Sequence, residues 1–173
     1  MSNLLSNMED VSMQRSTNKG FYRANWNHSQ TVIDIVKGLT GSPNASADMI
    51  LKLRNSYFYI FISDSGKSLL SFEPVFGVIP WYLVHTFCDE AERGLKLKLF
   101  LLGAGLWMAD NTNMEALMAV IPDNLRRYGI FLRSAMGMKR IGKELDATIY
   151  TIGIDRYDEM RSKLNKLEQK SEV

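Results

Sequence analysis

The sequence predicts an α+β fold built as one domain around a mixed sheet. Three observations lead there. Residues 57–62 and 69–79, rich in aromatic and β-branched side chains, flank the turn Ser63-Asp64-Ser65-Gly66 and read as a hairpin. From Trp81 onwards strand and helix patterns alternate as β-α-β-α-β: 81–84, a helix ending near Trp107, 116–121, a helix closing on Met136-Gly137, and 148–152. The 173 residues are 46% hydrophobic and 23% charged, which suits one folded domain with a sizeable core.

Each element has a local cause. Residues 1–18 are polar and rich in Ser and Asn, and predict a loose arm ahead of a domain over 19–155. Residues 21–26 predict a first strand. Asn27 or Ser29 then caps a helix carrying Val32, Ile33, Val36 and Leu39, which Gly38 or Gly41 ends. Ser46 is expected to cap a second short helix with Met49, Ile50 and Leu53 inward. Pro80 lacks an N–H and separates the hairpin from the strand at Trp81.

The helix after Gly94 carries two apolar stripes, Leu95-Leu99-Leu102-Leu106 and Leu97-Leu101-Ala104, and so must pack on more than one side. Pro122 stops the next strand, and Asp123 or Asn124 caps a helix with Leu125, Tyr128, Leu132 and Ala135 on one face. Gly137 suits a left-handed C-cap. Residues 156–173 form an amphipathic helix and tail, its stripe Tyr157, Met160, Leu164 and Leu167 suited to weak docking or to a homodimer contact.

Composition argues against several classes. A net charge of +2 is too small to make nucleic acid a default partner. The longest uncharged run, 74–88, is too short to span a bilayer and contains two prolines. Cys88 stands alone, so no intrachain disulfide forms and a reducing, cytoplasmic setting is expected. His28 and His85 lie far apart without metal-ligand spacing, so no metal site is expected.

The order of elements resembles the acetyl-CoA-binding half of the GNAT acyltransferase family. Arg93-Gly94 stands at the head of one helix and Met136-Gly137-Met138-Lys139-Arg140-Ile141-Gly142 follows the next. The resemblance implies a sheet of about six to seven strands flanked by four to five helices. It also implies acetyl-CoA as cofactor and an amine, a host protein's among the candidates, as acceptor. In that family the cofactor pyrophosphate rests on the helix N-terminus, where unpaired N–H groups and the dipole favour an anion. Arg93, Gly94, Leu95 and Lys96 would hold it, and Val84, His85 and Thr86 would meet the pantetheine. Lys96 and Lys98 replace the two later glycines of the family's turn.

Candidate bases are Glu73 on the third strand and His85 on the fourth, the latter with an intrinsic pKa suited to proton transfer. Each is also readable as an ordinary strand side chain. The family's acid, a tyrosine about four residues before the closing glycine, corresponds to Arg133, with Tyr128 more than a turn earlier, so the acid is unassigned. Phe76-Gly77-Val78, the run from Trp81 to Thr86, Leu106-Trp107 and Met136-Gly137-Met138 are similar to small bacteriophage acyltransferase-like proteins, some of them internal virion proteins. That likeness implies a second possibility: an inactive virion component or host-interaction protein.

Overall fold

Seven strands join in one sheet of order β1-β2-β3-β4-β5-β7-β6. The structure, a computed structural model, describes residues 20–76 and 80–172. The expected N-terminal arm and the Gly77-Val78 motif lie outside the described residues. The strands are β1 (Phe21–Arg23), β2 (Tyr59–Ser63), β3 (Leu69–Val75), β4 (Trp81–Phe87), β5 (Ala116–Pro122), β6 (Lys139–Glu144) and β7 (Ala147–Gly153). The helices are α1 (Ser29–Thr40), α2 (Pro43–Arg54), α3 (Leu95–Asn111), α4 (Arg126–Met136) and α5 (Tyr157–Ser171). Among the described residues only β4 and β5 run parallel; every other neighbouring pair is antiparallel.

The two-residue period of the strands builds two cores. Ile60, Ile62 and Leu69 point to one face and pack with Val32, Ile35, Val36 and Met49 of α1 and α2. Phe61, Leu70, Phe72, Tyr82 and Val84 point to the other, against Leu101 and Leu102 of α3, Leu132 of α4 and Met160 of α5. Phe61 is fully buried, with the rings of Phe21, Phe72 and Trp107 within 5.7 Å of its own. The charged helix α5 sinks Tyr157, Met160 and Leu164 into this core. Among the described residues no helix is long and apolar enough to cross a membrane.

Local chemistry placed several boundaries differently from the sequence expectation. Ser42, not Ser46, caps α2, its Oγ accepting from Ala45 N at 3.3 Å. Pro43 explains the shift, because its fixed φ and missing N–H suit the first helical position. Ser46 is buried within the helix. Strand β1 stops at Arg23, since Asn25 and His28 form a capping box around a 3-10 turn over Trp26–His28; neither Asn27 nor Ser29 caps α1. Gly41, at φ +64°, ends α1. Helix α3 continues past Trp107 to Asn111.

Asp123 and Asn124 do not cap α4, whose N-cap is Leu125 without a side-chain bond. Asp123 instead pairs with Lys143 at 2.6 Å and accepts from Thr148 Oγ1 at 3.3 Å. Leu95 and Leu125, read as inward, are exposed. The segment after Gly137, to which the sequence pattern assigns no element, is strand β6; its run of exposed Lys139, Arg140, Lys143 and Glu144 hides the strand period, and suits a sheet edge.

Candidate functional site

Strands β3 and β4 pair antiparallel with Ser71 opposite His85 and Glu73 opposite Leu83. Glu73 and His85 are therefore diagonal neighbours on the face that carries α1 and α2. Their contact is direct, His85 Nε2 lying 3.1 Å from Glu73 Oε2. Lys52 of α2 donates to the same oxygen at 2.9 Å and also pairs with Asp48 at 3.1 Å. Two candidates read separately from sequence thus form one network with Lys52. That lysine was missed, although the i,i+4 spacing of Asp48 and Lys52 was a visible signal.

Electrostatics fix the protonation of this network. Burial and the Lys52 ammonium push the His85 pKa down, and Glu73 and Asp48 only partly oppose them. His85 is neutral near pH 7. With Nε2 donating to Glu73, its Nδ1 lone pair is free to take a proton, and 40% of the side chain is exposed. Lys52 is desolvated, yet its bonds to Glu73 and Asp48 outweigh that effect and raise its pKa.

Strand β4 opens a wedge in the sheet. Its parallel pairing with β5 covers Trp81–Ala116, Tyr82–Leu117 and Leu83–Met118 and then stops, while β4 continues to Phe87 and β5 to Pro122. Residues 119–122 of β5 remain paired to β7. Among the described residues, the β5-facing edge of Val84, His85, Thr86 and Phe87 therefore has no strand opposite.

Tyr128 of α4 reaches this wedge from the face opposite His85. Its hydroxyl donates to Thr86 Oγ1 at 2.5 Å, and its ring stacks on Phe131. Burial drives the phenol pKa far up, against the Thr86 bond, so it stays protonated. Arg133, the position expected from spacing, is exposed on the outer face of α4. Counting back from Gly137 misses Tyr128; the inward stripe Tyr128-Leu132-Ala135 was the signal that pointed to it.

Beyond β4 the chain makes a 3-10 turn over Glu90–Glu92, capped by Asp89, and enters α3 through Arg93 and Gly94. Gly94 holds φ +88° and ψ −128°, a conformation that L side chains rarely adopt. Among the described residues no side chain caps α3 and its first N–H groups are unclaimed, and Arg93, Leu95 and Lys96 are exposed beside them. Cys88 is no thiolate: burial raises its pKa and its Sγ donates to Asp89 O at 3.3 Å.

No protein-family model matches the sequence, and neither does any curated protein. The fold has clear relatives among solved structures. An acetyltransferase of the GNAT family from Staphylococcus aureus Mu50 aligns with a TM-score of 0.59 at 14% identity, over 78% of this chain and 98% of that one. A nucleotide-linked sugar GNAT aligns at 0.63 and 12% identity, over 86% and 95%. A spermidine N-acetyltransferase chimera involving the Vibrio cholerae enzyme aligns at 0.62 and 8%, over 79% and 96%. The chain therefore has the GNAT fold, with its seven-stranded mixed sheet and five helices. At these identities the likeness is one of fold.

Proposed function

We propose that this chain is an acetyl-CoA-dependent N-acetyltransferase. The observation that carries the reading is the wedge between β4 and β5, with Glu73–His85 on one side and Tyr128 on the other. The wedge opens at the end where the uncapped N-terminus of α3 begins. Lys96 and Lys98 sit in the first turns of α3 with no acidic residue among them, an arrangement the helix dipole disfavours until an anion binds. Arg93, the N–H groups after Gly94 and Lys96 would hold the pyrophosphate. The unpaired edge over Val84, His85 and Thr86 would bind the pantetheine.

When bound, acetyl-CoA supplies the thioester whose carbonyl carbon an acceptor amine attacks, with loss of the CoA thiol. His85 would take the amine proton at Nδ1, either directly or through one water, while Glu73 orients the ring and stabilises the imidazolium. Tyr128 would release Thr86 and deliver its proton to the leaving sulfur. The backbone edge of β4 would stabilise negative charge on the carbonyl oxygen.

A second reading, a chain that keeps the fold without the cofactor, rests on Lys96 and Lys98 standing where the family's glycines let backbone approach phosphate. A thermal-shift titration with acetyl-CoA separates the two. A hundredfold excess over Kd stabilises by about 2.7 kcal/mol. Stabilisation that Arg93→Ala abolishes supports the enzyme; no stabilisation of a well-folded chain at millimolar acetyl-CoA refutes it.

A further inference from the structure

Glu92, immediately before Arg93-Gly94, is a buried carboxylate whose hydrogen-bond donors are neutral hydroxyls. It is 7% exposed. Its Oε2 accepts from Ser63 Oγ at 3.1 Å, and its Oε1 accepts from Ser65 Oγ. Ser63 Oγ in turn accepts from Ser68 N at 3.1 Å, and Ser68 Oγ accepts from Asp89 N at 3.1 Å. Both ends of the link between β4 and α3 are thus tied to the β2–β3 hairpin, Asp89 at its start and Glu92 at its end.

Burying a carboxylate is costly unless its oxygens are satisfied, and a neutral or apolar contact would hold a loop at less cost. A cavity of about 290 Å³ lies between the hairpin and the first turns of α3, with Asp64, Cys88, Lys96, Leu99 and Phe100 among its walls. The serine bonds are the tether on this side. Burial raises the carboxylate pKa, but the hydroxyls of Ser65, Ser68 and Ser63, with Lys96 assisting, outweigh it and hold the pKa below its usual value, so the tether is ionised at neutral pH.

We infer that Glu92 is a positioning residue, holding the Arg93-Gly94 turn in the shape that receives the cofactor pyrophosphate. The inference rests on the acetyltransferase reading above. Preorganised donors bind an anion without first paying to order the loop that carries them.

The test is a calorimetric titration of CoA into wild type, Glu92→Ala, Glu92→Gln, Ser65→Ala, Arg93→Ala and the Glu92→Ala/Arg93→Ala double variant. Glu92→Ala is expected to weaken CoA binding about tenfold. Glu92→Gln, which keeps the shape and one acceptor, recovers part of the loss. In the double variant Glu92→Ala adds little to Arg93→Ala, because both act through one turn. Full additivity, or wild-type affinity in Glu92→Ala, overturns the inference. Should Glu92→Ala not fold, Ser65→Ala, at an exposed hairpin position, takes its place: a weakening that vanishes on the Arg93→Ala background is expected, and unchanged affinity overturns the inference. Absence of CoA binding by wild type refutes the acetyltransferase reading instead, a separate outcome.

Discussion

Replacing Gly129 by alanine sets two effects of opposite sign against each other. In an unconstrained helix the change stabilises by up to about 1 kcal/mol, because glycine loses the most backbone freedom on folding. Here α4 lies so close to β7 that a Cβ at Gly129 would sit 2.5 Å from Tyr150 Oη, 2.8 Å from Cζ and 3.0 Å from Cε2. Tyr150 is itself buried, so its ring has little room to retreat and the helix must back away from the sheet. Overpacking of this kind costs about 1–3 kcal/mol. The clash should win, leaving Gly129→Ala less stable by about 1 kcal/mol, or about 2–4 °C in Tm for a chain of this size.

Urea unfolding followed by tryptophan fluorescence measures the difference. Tyr150→Phe removes the nearest clashing atom while keeping the ring, so the double variant should regain part of the loss. The neighbouring Tyr128 would also be drawn off Thr86, and acetyl transfer should fall with stability. A Gly129→Ala protein more stable than wild type by about 1 kcal/mol, with Tyr150 or Phe at the partner position alike, would refute the close-approach argument.

Three further outcomes are expected. Lys52→Met removes a charge that depresses the His85 pKa, so the acid limb of the kcat/KM profile should move to higher pH; Glu73→Gln removes an opposing contribution and should move it lower, with reduced kcat. An unmoved limb in both variants argues against His85 as the base. Tyr128→Phe should cost about 1 kcal/mol of stability through the lost Thr86 bond and lower kcat about a hundredfold with KM for acetyl-CoA little changed, as steady-state kinetics would show. Phe61→Ala, at a fully buried ring in the larger core, should destabilise by about 3–5 kcal/mol in denaturant unfolding.

Much of the fold was legible because its signals are local. The hairpin around Ser63-Asp64-Ser65-Gly66, the strand at Trp81 and the helix that buries both Leu97 and Leu102 follow from each segment's own periodicity. Strand β6 was not legible. An edge strand buries almost nothing of its own, and Lys139, Arg140, Lys143 and Glu144 carry the charges that protect it. The cap of α2 was misplaced because proline chemistry at Pro43 outweighed the capping potential of Ser46.

For the candidate site, the sequence by itself determined the residue types available: a histidine and a carboxylate on two strands of one sheet, and Arg93-Gly94 before a long helix. Register decided that Glu73 and His85 meet, and tertiary packing brought Lys52 to them across 21 residues of chain. Packing of α4 decided that Tyr128, not position 133, faces the wedge, 42 residues from the threonine it touches. Only the structure revealed the wedge itself. Periodicity reports what a segment's own side chains bury, whereas the point at which two parallel strands part depends on the partners that each retains on its far side.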